Sequence, residues 1–371
     1  LNGWVNGWAE TVRLFGLSGQ VSQSPRIHAL SPLLIEALRG PGSGSGLFDR
    51  LFTSPNNIFS PQSLPAHEIF RLSMFTLIVT GAIFVTVSSL LLYAIVRFRQ
   101  RPGEADADRE PPQIYGSNQI ELAWTVIPIL IIVVLFLSTV RVIFGIQQAP
   151  EPKQALNVQV IGHRFWWEFR YPKYGVITAN ELHVPVSSDP KNPLPTYLKL
   201  TTADVDHSFW VPRLAGKTDI FGGQVNTTWI QPEATGIYLG QCAQFCGIEH
   251  ARMLIRVYAQ STADFQSWIA NQQQTAVEDP GAAEGRVIFE QNACINCHSI
   301  AGTVANGRFG PDLTHLMSRD TIAAGTLPNT RANLEKWIKD PDAYKPGCLM
   351  PAMELSDQDV KKIASYLVTL H

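Results

Sequence analysis

The segment GQCAQFCGIEHARM, residues 240–253, brings two thiols (Cys242, Cys246), an imidazole (His250) and a thioether (Met253) into one short stretch. Thiolate, imidazole and thioether are soft or borderline donors, which suit copper better than magnesium or calcium. His207, in DVDHSFWVP, stands upstream just after a strand-like run and is a further candidate if two loops meet at one end of a β-sandwich. A second set lies in ACINCH, where Cys294 and Cys297 directly precede His298. C-x-x-C-H is the pattern of covalent c-type haem attachment: both thiols add to the vinyl groups and the adjoining imidazole reaches the iron. An electron-transfer haem takes a second axial ligand, and Met raises its potential. KPGCLMPAM offers two candidates, Met350 and Met353; Met317 follows the haem motif too soon and sits in a helix-like stretch.

Other chemistry is compatible with the same residues. A Cys242–Cys246 disulfide would leave His207, His250 and Met253 without a role. Zinc also takes Cys and His, and spacing alone leaves it open. For the C-x-x-C-H motif the competitors are half a zinc knuckle or a redox pair, but no second Cys/His pair follows. Cys348, two residues before Met350, reads as a bystander thiol.

These residues need elements to hold them. The chain has 371 residues, is 45% hydrophobic and has a formal charge of −2, so it can bury several cores and has no global attraction for nucleic acid. Its five cysteines are too few for a disulfide scaffold. Residues 1–60 form an irregular extension containing GPGSGSG, and the start at Leu1 leaves N-terminal processing open. Residues 72–96 carry no charge, and residues 122–146 are interrupted only by Pro128 and Arg141. Either run is long enough as a helix to cross the ~30 Å hydrocarbon core, so a transmembrane helical hairpin is predicted over 61–149. Arg97, Arg99, Arg101 and Arg109 in the connecting loop place that loop in the cytoplasm, although Arg71 and Arg141 soften the bias. Everything after the second helix then faces outward.

From 150 to 261 the pattern changes to short β-type runs such as ALNVQVIG, YLKLTT and ARMLIRVYA between turn residues, which predicts a β-sandwich or barrel. Residues 262–280 read as a helix and a polar linker. Residues 281–371 carry helical patterns around GRVIFEQN, ANLEKWIK and DQDVKKIASYLVTL, and form a separate, mainly α domain.

HSFWVP together with QCAQFCGIEHARM resembles the dinuclear copper (CuA) signature of cytochrome c oxidase subunit II, whose form is roughly HSxxxP…CxExCGxxHxxM. The resemblance implies a cupredoxin-like domain in which Cys242 and Cys246 bridge two coppers. His207 and His250 then cap one copper each, Met253 is a weak ligand, and the carbonyl of Gln244 is the last. The family usually has Glu where this chain has Gln244. A carbonyl ligand survives that change, but a neutral amide is a poorer ligand for the interface magnesium of the family. GPDL at 310–313 and the MP dipeptide resemble class I cytochromes c, which favours Met350 as the axial ligand. The combination resembles caa-type oxidases, in which subunit II carries a fused cytochrome c.

The resemblance further implies a bacterial cytoplasmic membrane protein with both redox domains on the outer face. Its partners would be subunit I and subunit III, and its donor cytochrome c or another respiratory complex. Electrons would pass from the donor to haem c, to CuA and on to subunit I, where oxygen is reduced and protons are translocated. A CuA-containing nitric oxide reductase subunit and a membrane-anchored carrier without a catalytic partner are the alternatives; a quinol oxidase subunit would lack these copper ligands. Glu121 has two readings: N3 of a capping box with Asn118 as N-cap, or, by resemblance, the mouth of a proton pathway into subunit I. Asp204, Lys217, Asp219 and Asn226 match the subunit II pattern and are expected to organise loops. In GHRFWWEFRY the family's electron-admitting Trp position holds Phe165, followed by Trp166 and Trp167, so that role is not carried over. His163, His183 and His315 are expected to be structural.

Overall fold

The computed structural model describes residues 56–99, 113, 116–149, 151–187, 193–277 and 279–371. Most of the predicted N-terminal extension, and Arg101 and Arg109 of the connecting loop, lie outside the described residues. Helix α1 spans Leu64–Arg97 and α2 spans Asn118–Gln147. Their mean hydropathies reach 2.2 and 2.8, and both are long and apolar enough to cross a membrane. Helix α1 begins before the uncharged run because Pro65 suits a first helical turn and His67, Glu68 and Arg71 continue the helix beyond the apolar stretch. The N-cap of α2 is Ser117 rather than Asn118, and its side chain makes no capping bond. Glu121 is therefore one position too far along for the predicted capping box; its carboxylate folds back against Gly116, whose φ of +119° suits glycine.

Ten strands build the next layer pair. They are β1 Leu156–His163, β2 Trp166–Tyr171, β3 Val176–Ala179, β4 Glu181–Pro185, β5 Thr196–Thr202, β6 His207–Trp210, β7 Thr218–Ile220, β8 Asn226–Ile230, β9 Gly236–Cys242 and β10 Leu254–Gln260. One sheet runs β3-β2-β1-β5-β8 and the other β4-β10-β9-β6-β7. β1 and β5 pair in parallel, as do β4 and β10, whereas the other neighbours are antiparallel. Alternate residues of β1 and β10 turn inward, so Val158, Val160, Ile255 and Val257 meet Trp167, Phe169 and Phe209 in one core. This is the β-sandwich that the short β-type runs predict.

The predicted helix after the sandwich is α3, Thr262–Gln272, started by Ser261, whose hydroxyl accepts from the Asp264 N–H at 3.1 Å. Phe265 and Ile269 of α3 are buried in the sandwich core, so the helix is packed rather than loose. The C-terminal part folds around α4 Ala283–Gln291, α5 Cys294–Cys297, α6 Arg331–Lys339 and α7 Asp357–Leu367. Gly285 lets α4 cross α7 closely, since a Cβ there would run into the Lys362 carbonyl. Phe289, Leu334, Ile338, Val360, Ile363 and Leu367 form its core. A two-residue hairpin of β11 Thr321–Ile322 and β12 Leu327–Pro328 is added to the expected helices.

Candidate functional site

The strand ends decide where the soft donors meet. β6 opens with His207 and β9 closes with Cys242, and the two strands are hydrogen-bonded neighbours with Phe209 opposite Cys242. The turn after β9 carries Gln244 and Cys246; a single 3-10 turn, His250–Arg252, returns the chain to Met253 and β10. As a result the predicted donors converge. The Cys242 and Cys246 sulfurs lie 3.9 Å apart and both are free. His207 Nδ1 is 3.9 Å from the Cys242 sulfur, and His250 Nδ1 is 3.8 Å from the Cys246 sulfur. The Gln244 carbonyl is 3.2 Å from the Cys242 sulfur, and the Met253 sulfur is 3.9 Å from that of Cys246.

Such separations are those of atoms sharing a metal, because donors about 2.0–2.3 Å from an ion sit roughly 3–4 Å from one another. His207, Cys242 and Cys246 alone could hold one ion. With His250, Met253 and the Gln244 carbonyl beside them, the donors outnumber the four that a single tetrahedral ion takes. The hydrogen bond from Cys246 holds the Cys242 thiol well below its usual range, and His207 adds to it, so a thiolate is favoured before any metal arrives.

Asp204 has a role that the sequence reading missed. Its Oδ1 accepts from His207 Nε2 at 2.9 Å, which leaves Nδ1 facing the cysteines, and its Oδ2 accepts from the Arg164 N–H at 2.7 Å. Burial alone would raise the carboxyl, but the bonds from His207, Val205 and Arg164 outweigh it and hold Asp204 at about 2. A carboxylate three residues before a candidate His ligand was the available signal. Lys217 and Asp219 pair at 2.7 Å, and Asn226 donates to the Asp219 carbonyl at 2.6 Å, which ties β7 to β8 as a loop-organising set.

The second set lines a cavity of about 340 Å³. Cys294, Cys297 and His298 occupy one wall, and Met350 and Met353 both face it among apolar residues such as Phe289 and Leu334. His298 Nδ1 donates to the Pro311 carbonyl at 2.7 Å, so Nε2 is the nitrogen left for a metal. Burial pushes the His298 pKa down, which favours the neutral, ligating ring. Gly310 leaves the ring its space: a Cβ there would stand 2.6 Å from His298 Cε1. A deep apolar slot with two thiols, one oriented imidazole and a thioether fits a covalently held haem. Cys348 also lines the cavity, and its thiol faces the Met350 carbonyl at 3.5 Å.

The wall of that cavity facing the sandwich is made by Arg164, Phe165 and Trp166. Trp167 is fully buried, and its indole donates to the Met253 carbonyl at 3.4 Å, while Trp166 stacks on His163. Among the remaining histidines, His163 bonds Glu168 at 3.0 Å, His183 stacks between Tyr258 and Trp268, and His315 meets the carbonyls of His371 and Gln274. All three are structural, as expected.

Three family patterns match the chain. They are "Cytochrome C oxidase subunit II, transmembrane domain" at residues 56–142, "Cytochrome C oxidase subunit II, periplasmic domain" at 156–260, and "Cytochrome c" at 282–371. Cytochrome c oxidase subunit 2 of Alkalihalophilus pseudofirmus is 33% identical over 318 residues, covering 84% of this chain and 89% of that one. The protein of the same name from Bacillus sp. strain PS3 is 34% identical over 293 residues, covering 74% and 80%. Among solved structures, the periplasmic domain of cytochrome oxidase subunit II from Bradyrhizobium japonicum is 28% identical, with a TM-score of 0.30, and covers 33% of this chain and 96% of that domain. With copper-type donors at one end of a cupredoxin-like sandwich and a haem-type slot beside them, the chain belongs to the cytochrome c oxidase subunit II family, in a form that carries its own cytochrome c domain.

Proposed function

We propose that this membrane chain receives electrons on its own haem c and passes them through a dinuclear copper centre to subunit I of an oxidase. The observation that carries the reading is contiguity: one cavity is walled by Cys294, Cys297 and His298 on the cytochrome side and by Phe165 and Trp166 on the copper-domain side. When bound, haem and copper each supply one-electron chemistry at little structural change. The haem would be held by Cys294, Cys297, His298 and Met350, with Met353 as the competing thioether. The coppers would be held by His207, Cys242, the Gln244 carbonyl, Cys246, His250 and Met253. Asp204 keeps His207 oriented, and the sandwich core excludes water around the thiolates.

The proposed division is an extension to 60, a membrane hairpin over 61–149, a copper domain over 150–261, a connecting helix over 262–280 and a cytochrome domain over 281–371. Both redox domains would face outward, with Glu121 at the opposite membrane face as a candidate proton entrance. Oxygen reduction and proton translocation would belong to subunit I, with subunit III beside it and cytochrome c or another respiratory complex as donor. Gln244 leaves the interface magnesium without its usual carboxylate. Fusing the donor domain raises its effective concentration at the copper site.

The test is gas consumption by the intact purified complex with reduced cytochrome c. Oxygen uptake at a rate well above that with nitric oxide supports the oxidase. Preferential nitric oxide uptake would assign the chain to a reductase, and isolation of the subunit alone would make it a free carrier.

A further inference from the structure

Lys345 stands five residues before Met350, and its side chain is among the most deeply buried charges of the described residues, at 3% exposure. An ammonium offers three N–H donors and no acceptor. Lys345 Nζ donates to the carbonyls of Phe165 at 2.7 Å, Arg252 at 2.9 Å and Ala323 at 3.4 Å. The first two belong to the copper domain and the third to the cytochrome domain, so a single side chain bonds across the junction. Burial pulls its pKa down to about 8, with Glu249 opposing the shift, and the ammonium stays mostly protonated at pH 7.

The carbonyls it selects matter. Arg252 immediately precedes Met253, and the Phe165 ring packs on Gly247 of the copper loop, where a Cβ would stand 2.9 Å away. On the other side, Lys345 leads through Pro346 and Gly347 into the Met350 segment. Gly347, at φ +78°, leaves room for Ile248 of the copper loop, to which a Cβ would come within 2.7 Å. Arg252 Nη1 also donates to the Tyr344 carbonyl at 3.1 Å, and the Leu254 N–H to the Ala324 carbonyl at 3.2 Å. The two ligand loops are thus interlocked rather than merely joined by a linker.

We propose that Lys345 is a positioning residue for internal electron transfer, holding the haem-ligand loop on the copper-ligand loop in one fixed geometry. Lys345 itself lines the cavity that Cys294, Cys297, His298 and Met350 wall, and its Nζ reaches the Arg252 carbonyl beside Met253. The step it serves moves one electron: the haem iron is oxidised by one, the copper centre is reduced by one, and no bond forms or breaks. The inference rests on the two-centre reading above.

The test uses the intact oxidase complex and its Lys345→Met variant, which removes the three donors at similar length. Copper and haem content and both optical spectra are expected to stay unchanged. Haem-to-copper electron transfer after flash reduction is expected to fall about tenfold or more, since small misplacements of reacting centres are costly. It is also expected to become slower as glycerol raises the viscosity, and amide exchange at Leu254 to accelerate. In the wild type, transfer is expected to be independent of viscosity, a measurement that tests the fixed geometry even where the variant fails to assemble. A viscosity-dependent wild-type rate, or a wild-type rate and exchange pattern in a fully loaded variant, overturns the role of Lys345. A wild type lacking copper or haem overturns the two-centre reading itself.

Discussion

Ring orientation at the two imidazoles is where single residues do most. His298 and His207 each give one nitrogen to an oxygen of the protein, Pro311 O at 2.7 Å and Asp204 Oδ1 at 2.9 Å, and so present the other to their site. Replacing Asp204 by Asn should reduce copper affinity by about 10–100-fold, the usual cost of losing an outer partner of a ligating His. Chelator competition measures this, and the haem spectrum should not change. Most of the candidate donors were legible because the motifs 242–253 and 294–298 are local in sequence, whereas His207 and Met350 lie far from them along the chain. Asp204 was placed among loop organisers because its partner is set by how the chain turns into β6, not by any motif. The expected capping box does not form: Ser117 takes the N-cap and its side chain makes no capping bond, since Ser117 and Asn118 are both good caps and only backbone geometry selects between them.

At the scale of elements, β4, β10 and α3 share one buried histidine. His183 stacks on Trp268 at 4.1 Å and on Tyr258 at 4.7 Å, and its Nδ1 donates to Gln260 at 3.1 Å. Burial lowers its pKa to about 4 from the ordinary 6.5. The unfolded chain therefore binds a proton that the folded chain refuses between these values. Stability from this group is fully present above pH 6.5 and is lost as pH falls toward 4. Thermal melts of His183→Phe should show a smaller loss of stability over that window than the wild type, by a few kcal/mol. The strands and amphipathic helices were readable from periodicity, as in β1 and β10. The full length of α1 was not, because the apolar run marks the membrane span and not the helical turns that continue through His67 and Arg71.

For the whole molecule, the junction of the copper and cytochrome domains was the least legible feature. It is made by charged residues, which read as solvated surface in a sequence, yet Glu181 is 1% and Arg319 7% exposed. Glu181 Oε1 accepts from the Asp320 and Thr321 N–H groups at 3.0 Å each and from the Thr321 hydroxyl at 3.0 Å. Replacing Glu181 by Leu would strand those donors at about 1–3 kcal/mol each. Limited proteolysis should then cut the segment between α3 and α4 faster than in the wild type, with the haem still attached. Electron transfer through this chain depends on which metals the two sites hold. Metal analysis and an optical spectrum of the purified chain test it most directly: two coppers and one c-type haem per chain are predicted, and zinc in place of copper would contradict it.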